Sequence, residues 1–426
     1  MKKTFILCAS TALLVLASCK QTPQEDYGWV KRGIDAAAYQ LQFTAQEIAD
    51  SAKLPRSIWA GYDMDFLCAQ LEKNPETFKD SLRPKRIGRL GQRRLCSVYD
   101  WTSGFFPGSL WYTYELTGNE AIKTEAVRFT NLLNPVRYYK GTHDLGFMVN
   151  CSYGNALRLA PNDTIQAVMI ETANNLIGRF DNGVGAIRSW DFGTWNFPVI
   201  IDNMMNLDLL FNATRLTGDS RYRDIALTHA NKTLANHFRP DASSWHVVSY
   251  NSDGTVEKKQ TFQGKNDDSS WARGQAWAVY GYTCCYRETQ DTVYGNFAKR
   301  VANLIMTRVK TDDCIPYWDY DAPEGPQTPR DASAAAVTAS AMLEMSTLMP
   351  DGQIYFDYAE KILKSLSSDQ YLAKNGENQG FILMHSTGSL PNGSEIDVPL
   401  NYADYYYLEA LKRYMDIKGI TYKDLK

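Results

Sequence analysis

A short phrase recurs along the chain and constrains what it can fold into. Glu115-Leu116-Thr117-Gly118 precedes a stretch carrying Ala126, Val127, Phe129 and Leu133. Arg215-Leu216-Thr217-Gly218 precedes one carrying Tyr222, Ile225, Ala226, His229 and Leu234. Weaker copies are Arg287-Glu288-Thr289 before Phe297, Val301 and Ile305, and Ser346-Thr347-Leu348 before Tyr355, Ala359 and Leu363. Each reads as a helix end, a tight turn, then a second helix with one apolar stripe. Reading outward from the turns gives six helix pairs. The first members fall near 105–117, 145–160, 202–217, 271–289, 332–348 and 401–415, apolar on more than one face and so placed inside. Their partners fall near 29–51, 120–134, 163–180, 220–237, 292–310 and 354–367, with Lys, Arg and Glu opposite the stripe, and so lie outside. A unit repeating every roughly 40–70 residues is an array of one supersecondary element. Closed on itself, the array is an all-α (α/α)6 barrel. Left open, it is a solenoid, which would need capping repeats that this chain lacks.

Composition narrows the function. Apolar residues at 44% supply a large core and exclude wholesale disorder. A net charge of -3 argues against nucleic acid as the main partner. The aromatic count is high, with 10 Trp, 26 Tyr and 17 Phe, enough to pack a core and also line a sugar cleft. Six cysteines follow the first thirty residues without CxxC spacing, which excludes a zinc site or disulfide scaffold and leaves room for one bridge. Five scattered histidines argue against a metal centre, and no phosphate- or dinucleotide-binding motif stands at a strand–helix junction, so no metal or cofactor is expected.

The start of the chain reads as a leader. Met1-Lys2-Lys3 is basic, and Phe5 to Leu16 is an apolar run too short to span a bilayer. Leu16-Ala17-Ser18-Cys19 resembles the bacterial lipobox. The expectation is a signal peptide over 1–18, lipidation at Cys19, a tether over 19–27, and one catalytic domain over 28–426. Lipid would then hold that domain at the bacterial cell envelope, on the periplasmic face. A basic run, Arg83 to Arg94, reads as a solvated face, or else as a guide for an anionic substrate. The polar stretch 240–270 contains two β-like segments, at 245–250 and 255–262.

Unusual residues gather where the inner helices begin. These are Asp100-Trp101, His143-Asp144, Trp190 and Trp195 before Asp202, Gln263 before Trp271-Ala272-Arg273 and Trp277, Arg330-Asp331, and Asn401 to Asp404. In a ring of antiparallel pairs the inner helices run the same way, so their N-termini converge at one mouth, where helix dipoles favour an anion. Asp100, Asp144, Asp202 and Asp331 each also read as N-caps. Capping alone does not call for Trp, Arg and His at the same end.

These phrases resemble the unsaturated glucuronyl hydrolases of glycoside hydrolase family 88. The matches run from Asp100-Trp101-Thr102-Ser103-Gly104 through His143-Asp144-Leu145-Gly146-Phe147, Asp202, Ser244-Trp245-His246, Gln263-Gly264, Trp271-Ala272-Arg273-Gly274-Gln275-Ala276-Trp277 and Arg330-Asp331 to Asp404-Tyr405-Tyr406. The resemblance implies an (α/α)6 barrel acting on oligosaccharides left by polysaccharide lyases, which carry a 4,5-unsaturated uronic acid at the non-reducing end. It implies Asp202 as general acid/base and Asp144 as the second essential carboxylate. It implies substrate contacts for Trp101, His143, Trp190, His246, Gln263, Trp271, Arg273 and Trp277. A carboxyl serving both proton steps needs a pKa nearer neutrality, which aromatic walls and a neighbouring carboxylate supply. Ser103, Tyr402 and Pro329 depart from relatives that have an acid, Trp and Tyr there. Two other readings are an unsaturated rhamnogalacturonyl hydrolase acting on pectin fragments, and a non-catalytic glycan-binding lipoprotein. The Gln263 and Trp271–Trp277 phrases favour the glucuronyl group over the first, and retention of both Asp144 and Asp202 speaks against the second.

Overall fold

The structure is a computed structural model that describes residues 26–59 and 91–425. The leader, Cys19, nearly all of the tether, Cys68 and the first part of the basic run lie outside the described residues.

Twelve α-helices are present among the described residues. The outer ones are α1 (Gly28–Glu47), α3 (Glu120–Leu132), α5 (Asp163–Ile177), α7 (Ser220–Asn236), α9 (Thr292–Arg308) and α11 (Gln353–Leu366). The inner ones are α2 (Phe105–Thr117), α4 (Asn155–Leu159), α6 (Leu207–Thr217), α8 (Ala272–Thr289), α10 (Ala332–Leu348) and α12 (Asn401–Lys418). A π-helical stretch, Gly146–Gly154, leads into α4, and a 3-10 turn, Ile201–Asn206, leads into α6.

The recurring phrase is a turn with a common mechanism. Gly118 and Gly218 take left-handed φ of 70° and 73°, where a Cβ is disfavoured. Asn119 and Asp219 then cap α3 and α7, accepting from the N–H of Ala121 and Arg221. Thr117 and Thr217 accept the N–H of those same caps, at 3.2 and 3.1 Å. Thr289, Gln290 and Asp291 repeat the arrangement, Gln290 taking φ 56° in place of glycine. The fourth copy differs: α10 ends in extended Met349, and Gly352 precedes α11.

The inner helices form a closed ring. α2 packs on the π-helical stretch, that on α6, the 3-10 turn on α8, α8 on α10, α10 on α12, and α12 back on α2. This is the (α/α)6 barrel, and the last contact excludes the open solenoid. α10 is buried all round and rich in alanine, which lets α8 and α12 approach from both sides. Four rings close the axis: Phe105 lies 5.4 Å from Phe147, Phe147 5.2 Å from Trp277, Trp277 5.7 Å from Tyr406, and Tyr406 6.0 Å from Phe105. Beyond the plate lie charges that neutralise one another: Arg287 meets Asp208, Glu288 and Glu344, and Arg413 meets Glu344.

Small sheets decorate one end. β1 (Leu54–Ile58) pairs with β2 (Arg93–Cys96), and β3 (Phe180–Asp181) with β4 (Ala186–Ile187). β5 (Pro198–Ile200), β6 (Val247–Tyr250) and β7 (Val256–Gln260) form a three-stranded antiparallel sheet, so the 240–270 stretch is an ordered hairpin. Cys96, Cys151, Cys284, Cys285 and Cys314 are free thiols, with no bridge among the described residues.

Candidate active site

A cup of about 740 Å³ opens where the inner helices begin. Its wall includes Trp101, His143, Asp144, Trp190, Asp202 and Gln263, which the sequence had assigned to one mouth. His246, Trp271, Arg273 and Trp277 stand behind that wall, outside the lining. Trp277 is fully buried in the aromatic plate. Trp271 stacks 4.7 Å from His246 and carries the Arg273 guanidinium at 4.4 Å.

The four helix-start aspartates divide by what they bond. Asp331 is an N-cap, accepting from Ser333 N–H at 3.1 Å, and its other oxygen takes Arg273 Nη1 at 2.6 Å. Asp100 closes the turn before α2, accepting from Thr102 N–H at 2.9 Å. Capping does not account for the other two. Asp202 lies inside the 3-10 turn, whose N-cap, Ile200, makes no side-chain bond. Asp202 is 7% exposed, and its Oδ2 is buried without a hydrogen-bond partner. Asp144 precedes the π-helical stretch and accepts from the Thr142 hydroxyl at 2.6 Å. Burial raises the Asp144 pKa above the ordinary carboxyl value; His143 and Thr142 oppose this, and the Asp202 charge adds to it.

The histidines are placed by backbone donors and by burial. His246 Nδ1 accepts from Phe262 and Gln263 N–H at 3.1 and 3.2 Å. Its proton therefore sits on Nε2, which lies 3.5 Å from Asp202 Oδ2 with no hydrogen bond formed. The hairpin supplies both partners, which explains why Ser244-Trp245-His246 and Gln263 belong together in sequence. His143 is fully buried; Nε2 is 3.3 Å from Asp144 Oδ1, yet neither ring nitrogen has a hydrogen bond. Ser103 Oγ and Tyr402 Oη are buried and unpartnered as well. Buried polar groups normally find partners, so His143, Asp202 and Tyr402, which all line the cup, mark a place where a polar ligand supplies them.

Arg273 is 1% exposed and held by Asp331 and by the carbonyls of Thr387 and Gly388. Gln263 Nε2 also donates to the Gly388 carbonyl, at 3.2 Å. Sequence reading missed Arg56, the one cation in the lining among the described residues. It lies on β1 and bridges Asp100 and Glu395, each at 2.6 Å, with Trp101 6.0 Å away. Asn392 and Ser394, on an irregular loop, also line the cup and were missed, because no periodicity or motif marks that segment. Arg93 and Arg94, at the end of the basic run, are neither a solvated face nor a free guide: Arg94 donates to Glu395 at 3.0 Å and Arg93 lies 3.6 Å from Glu47. Asp404 turns away from the cup to accept from Ile382 and Leu383 N–H.

Comparison with known proteins agrees with this geometry. The model of Glycosyl Hydrolase Family 88 matches residues 88–418, and a domain of unknown function matches residues 1–73. An unsaturated glucuronyl hydrolase from Formosa agariphila is 49% identical over 74% of this chain and 80% of its own length. An unsaturated chondroitin disaccharide hydrolase from Streptococcus pyogenes is 31% identical over 82% of this chain and 90% of its own. The crystal structure of an unsaturated glucuronyl hydrolase specific for heparin superposes with a TM-score of 0.83 at 48% identity, covering 94% of this chain and all of that one. With the barrel, the cup and these relatives in agreement, the chain belongs to glycosyl hydrolase family 88 and is a glycoside hydrolase.

Proposed function

We propose that the enzyme removes 4,5-unsaturated uronic acid from the non-reducing end of lyase-generated glycosaminoglycan oligosaccharides. The observation that carries this reading is the Asp202 carboxylate, with an oxygen buried and unpartnered beside His246, in a cup that also holds Asp144. The chemistry is hydration rather than displacement at the anomeric carbon. Asp202 gives a proton to C4 and takes one from the water whose oxygen bonds to C5. The vinyl ether becomes a hemiketal at C5. The hemiketal opens to a C5 ketone and leaves a hemiacetal at C1, which collapses to an aldehyde and releases the next sugar. Asp144 orients the ring hydroxyls. Trp101 and Trp190 offer apolar faces to the sugar.

The test follows the ultraviolet absorbance of the conjugated C4=C5 bond. Wild-type enzyme consumes it with unsaturated disaccharides from heparin, chondroitin or hyaluronan digests, with a pectin digest as the contrasting arm. Asp202→Asn loses ~10²–10⁴ in kcat, the usual contribution of a general acid–base. No loss of absorbance on any substrate, or near-wild-type turnover by the variant, overturns the proposal.

We also propose that residues 1–18 are a leader and that Cys19 carries lipid, supported by the basic start, the short apolar run and the Leu16-Ala17-Ser18-Cys19 phrase. A labelled fatty acid then enters the wild-type chain and not Cys19→Ser, and the chain fractionates with the envelope facing the periplasm. Equal labelling of both chains removes the assignment.

A further inference from the structure

An aromatic path leads outward from the catalytic carboxylate. His246, 3.5 Å from Asp202, packs edge-on against Trp190 at 5.8 Å. Trp190 stacks on Phe192 at 5.0 Å, with the planes only 23° apart. Phe192 lines the cup yet is 55% exposed, far more than a residue placed there for packing. One of its faces is covered by Trp190, and Phe262 adds an edge at 6.0 Å.

The segment that presents this ring is pinned. Arg179 grips Asp191 with two parallel bonds of 2.9 and 3.1 Å, and also donates to the Arg188 carbonyl. Arg188 in turn donates to the Trp190 carbonyl at 2.9 Å. Behind Trp190 stands Trp195, fixed by its indole N–H to Gln260 at 3.0 Å. Phe192 is therefore an open aromatic face, preorganised on the rim of the catalytic cup. Preorganisation lowers the entropic cost of binding.

We infer that Phe192 is the stacking platform for the second sugar of the leaving group, so that the enzyme holds oligosaccharides longer than a disaccharide. The inference rests on the proposed function. The unsaturated uronate lies beside Asp202, the leaving sugar lies against Trp190, and the next ring lies on Phe192. Phe192 stands one ring further from Asp202 along this path than Trp190 does. The chemistry of the occupant follows from the surface. A neutral aromatic plane takes the C–H face of a pyranose.

The experiment compares kcat/KM for unsaturated disaccharides and tetrasaccharides, prepared by lyase digestion of unsulfated heparosan and of unsulfated chondroitin. Wild type is expected to prefer the tetrasaccharide in the series it accepts. In Phe192→Ala that preference falls by roughly 3- to 10-fold, the range that one aromatic contact supplies. Phe192→Trp restores it, which a purely structural role would not require. No length preference in wild type, or a preference unchanged in Phe192→Ala, overturns the inference and leaves the proposed function standing. No turnover of these disaccharides or of those from heparin and hyaluronan digests by wild type overturns the proposed function, and the inference falls with it.

Discussion

Replacing Arg56 with Met tests whether the cup is held by a buried charge strut. Arg56 donates to Glu395 twice, at 2.6 and 3.1 Å, and to Asp100 at 2.6 Å. Its side chain is 13% exposed and that of Glu395 only 4%. Burial alone would raise the Glu395 pKa, but the charge and hydrogen bonds of Arg56, followed by Arg94, bring it from 4.5 down to about 2. That depression corresponds to on the order of 3 kcal/mol of folding stability. The cost of stripping one partner from a buried ion pair, about 3–5 kcal/mol, is independently of the same size. At roughly 2.1 cal/mol/K per residue, a chain of this length loses about 3 °C in Tm for 3 kcal/mol. Because the folded-state pKa is depressed, the stabilisation is present above the ordinary carboxyl value and disappears as pH falls from 4.5 toward 2. Thermal melts of wild type, Arg56→Met, and Arg56→Met with Glu395→Gln, taken from pH 7 to pH 3, read this out. The gap between wild type and the single variant is widest at neutral pH and narrows in acid. The double variant recovers part of the loss, since the Glu395 charge is no longer buried without Arg56. A single variant melting within about 1 °C of wild type at pH 7 would refute the strut, as would a double variant no more stable than the single.

Two further substitutions probe how Asp202 is held. A Cβ at Gly281 of α8 would lie 2.5 Å from Cβ of Met204, two residues after Asp202. Gly281→Ala is expected to cost about 1–3 kcal/mol and to lower kcat by displacing the 3-10 turn; unchanged melting and turnover would show that the contact yields freely. His246→Leu removes the Nε2–H that faces Asp202, and is expected to lower kcat about tenfold or more with a smaller change in KM. Full turnover by that variant would leave the ring as packing between Trp190 and Trp271.

The architecture was legible because the information that sets it is local. The Thr-Gly-Asx turns place a left-handed residue and a cap within three positions, and the stripe that follows fixes the outer face. The second inner helix was visible as an apolar segment, but not its π-helical geometry over Gly146–Gly154. There Phe147 N–H donates to the side chain of Asn206, a partner 59 residues away. The cup was half legible for the same reason. Residues that begin inner helices announce themselves by position, whereas Arg56 and Glu395 come from a strand and an irregular loop that meet only through the fold. Their partnership spans 339 residues and has no pattern of its own.

Residue type at a helix start does not by itself separate structure from chemistry. Asp331 and Asp202 occupy similar places in the sequence pattern. One bonds the backbone N–H that a cap should and is further neutralised by Arg273; the other keeps an oxygen buried with nothing bonded to it. The difference is set by where the helix begins. Asp331 immediately precedes α10, while Asp202 is already the second residue of a 3-10 turn. A two-residue shift in helix onset thus converts a cap into a group with unsatisfied hydrogen-bonding capacity at the base of a cup. Depth also separates three of the tryptophans, while Trp271, the N-cap of α8, is buried behind the wall. Trp277, a turn and a half into α8, becomes core. Trp101, just before α2, becomes wall. Trp190, ahead of the third inner helix, reaches the rim and carries Phe192 into the open. For these three rings, distance from the helix start decides whether the ring packs the barrel or reaches the cup.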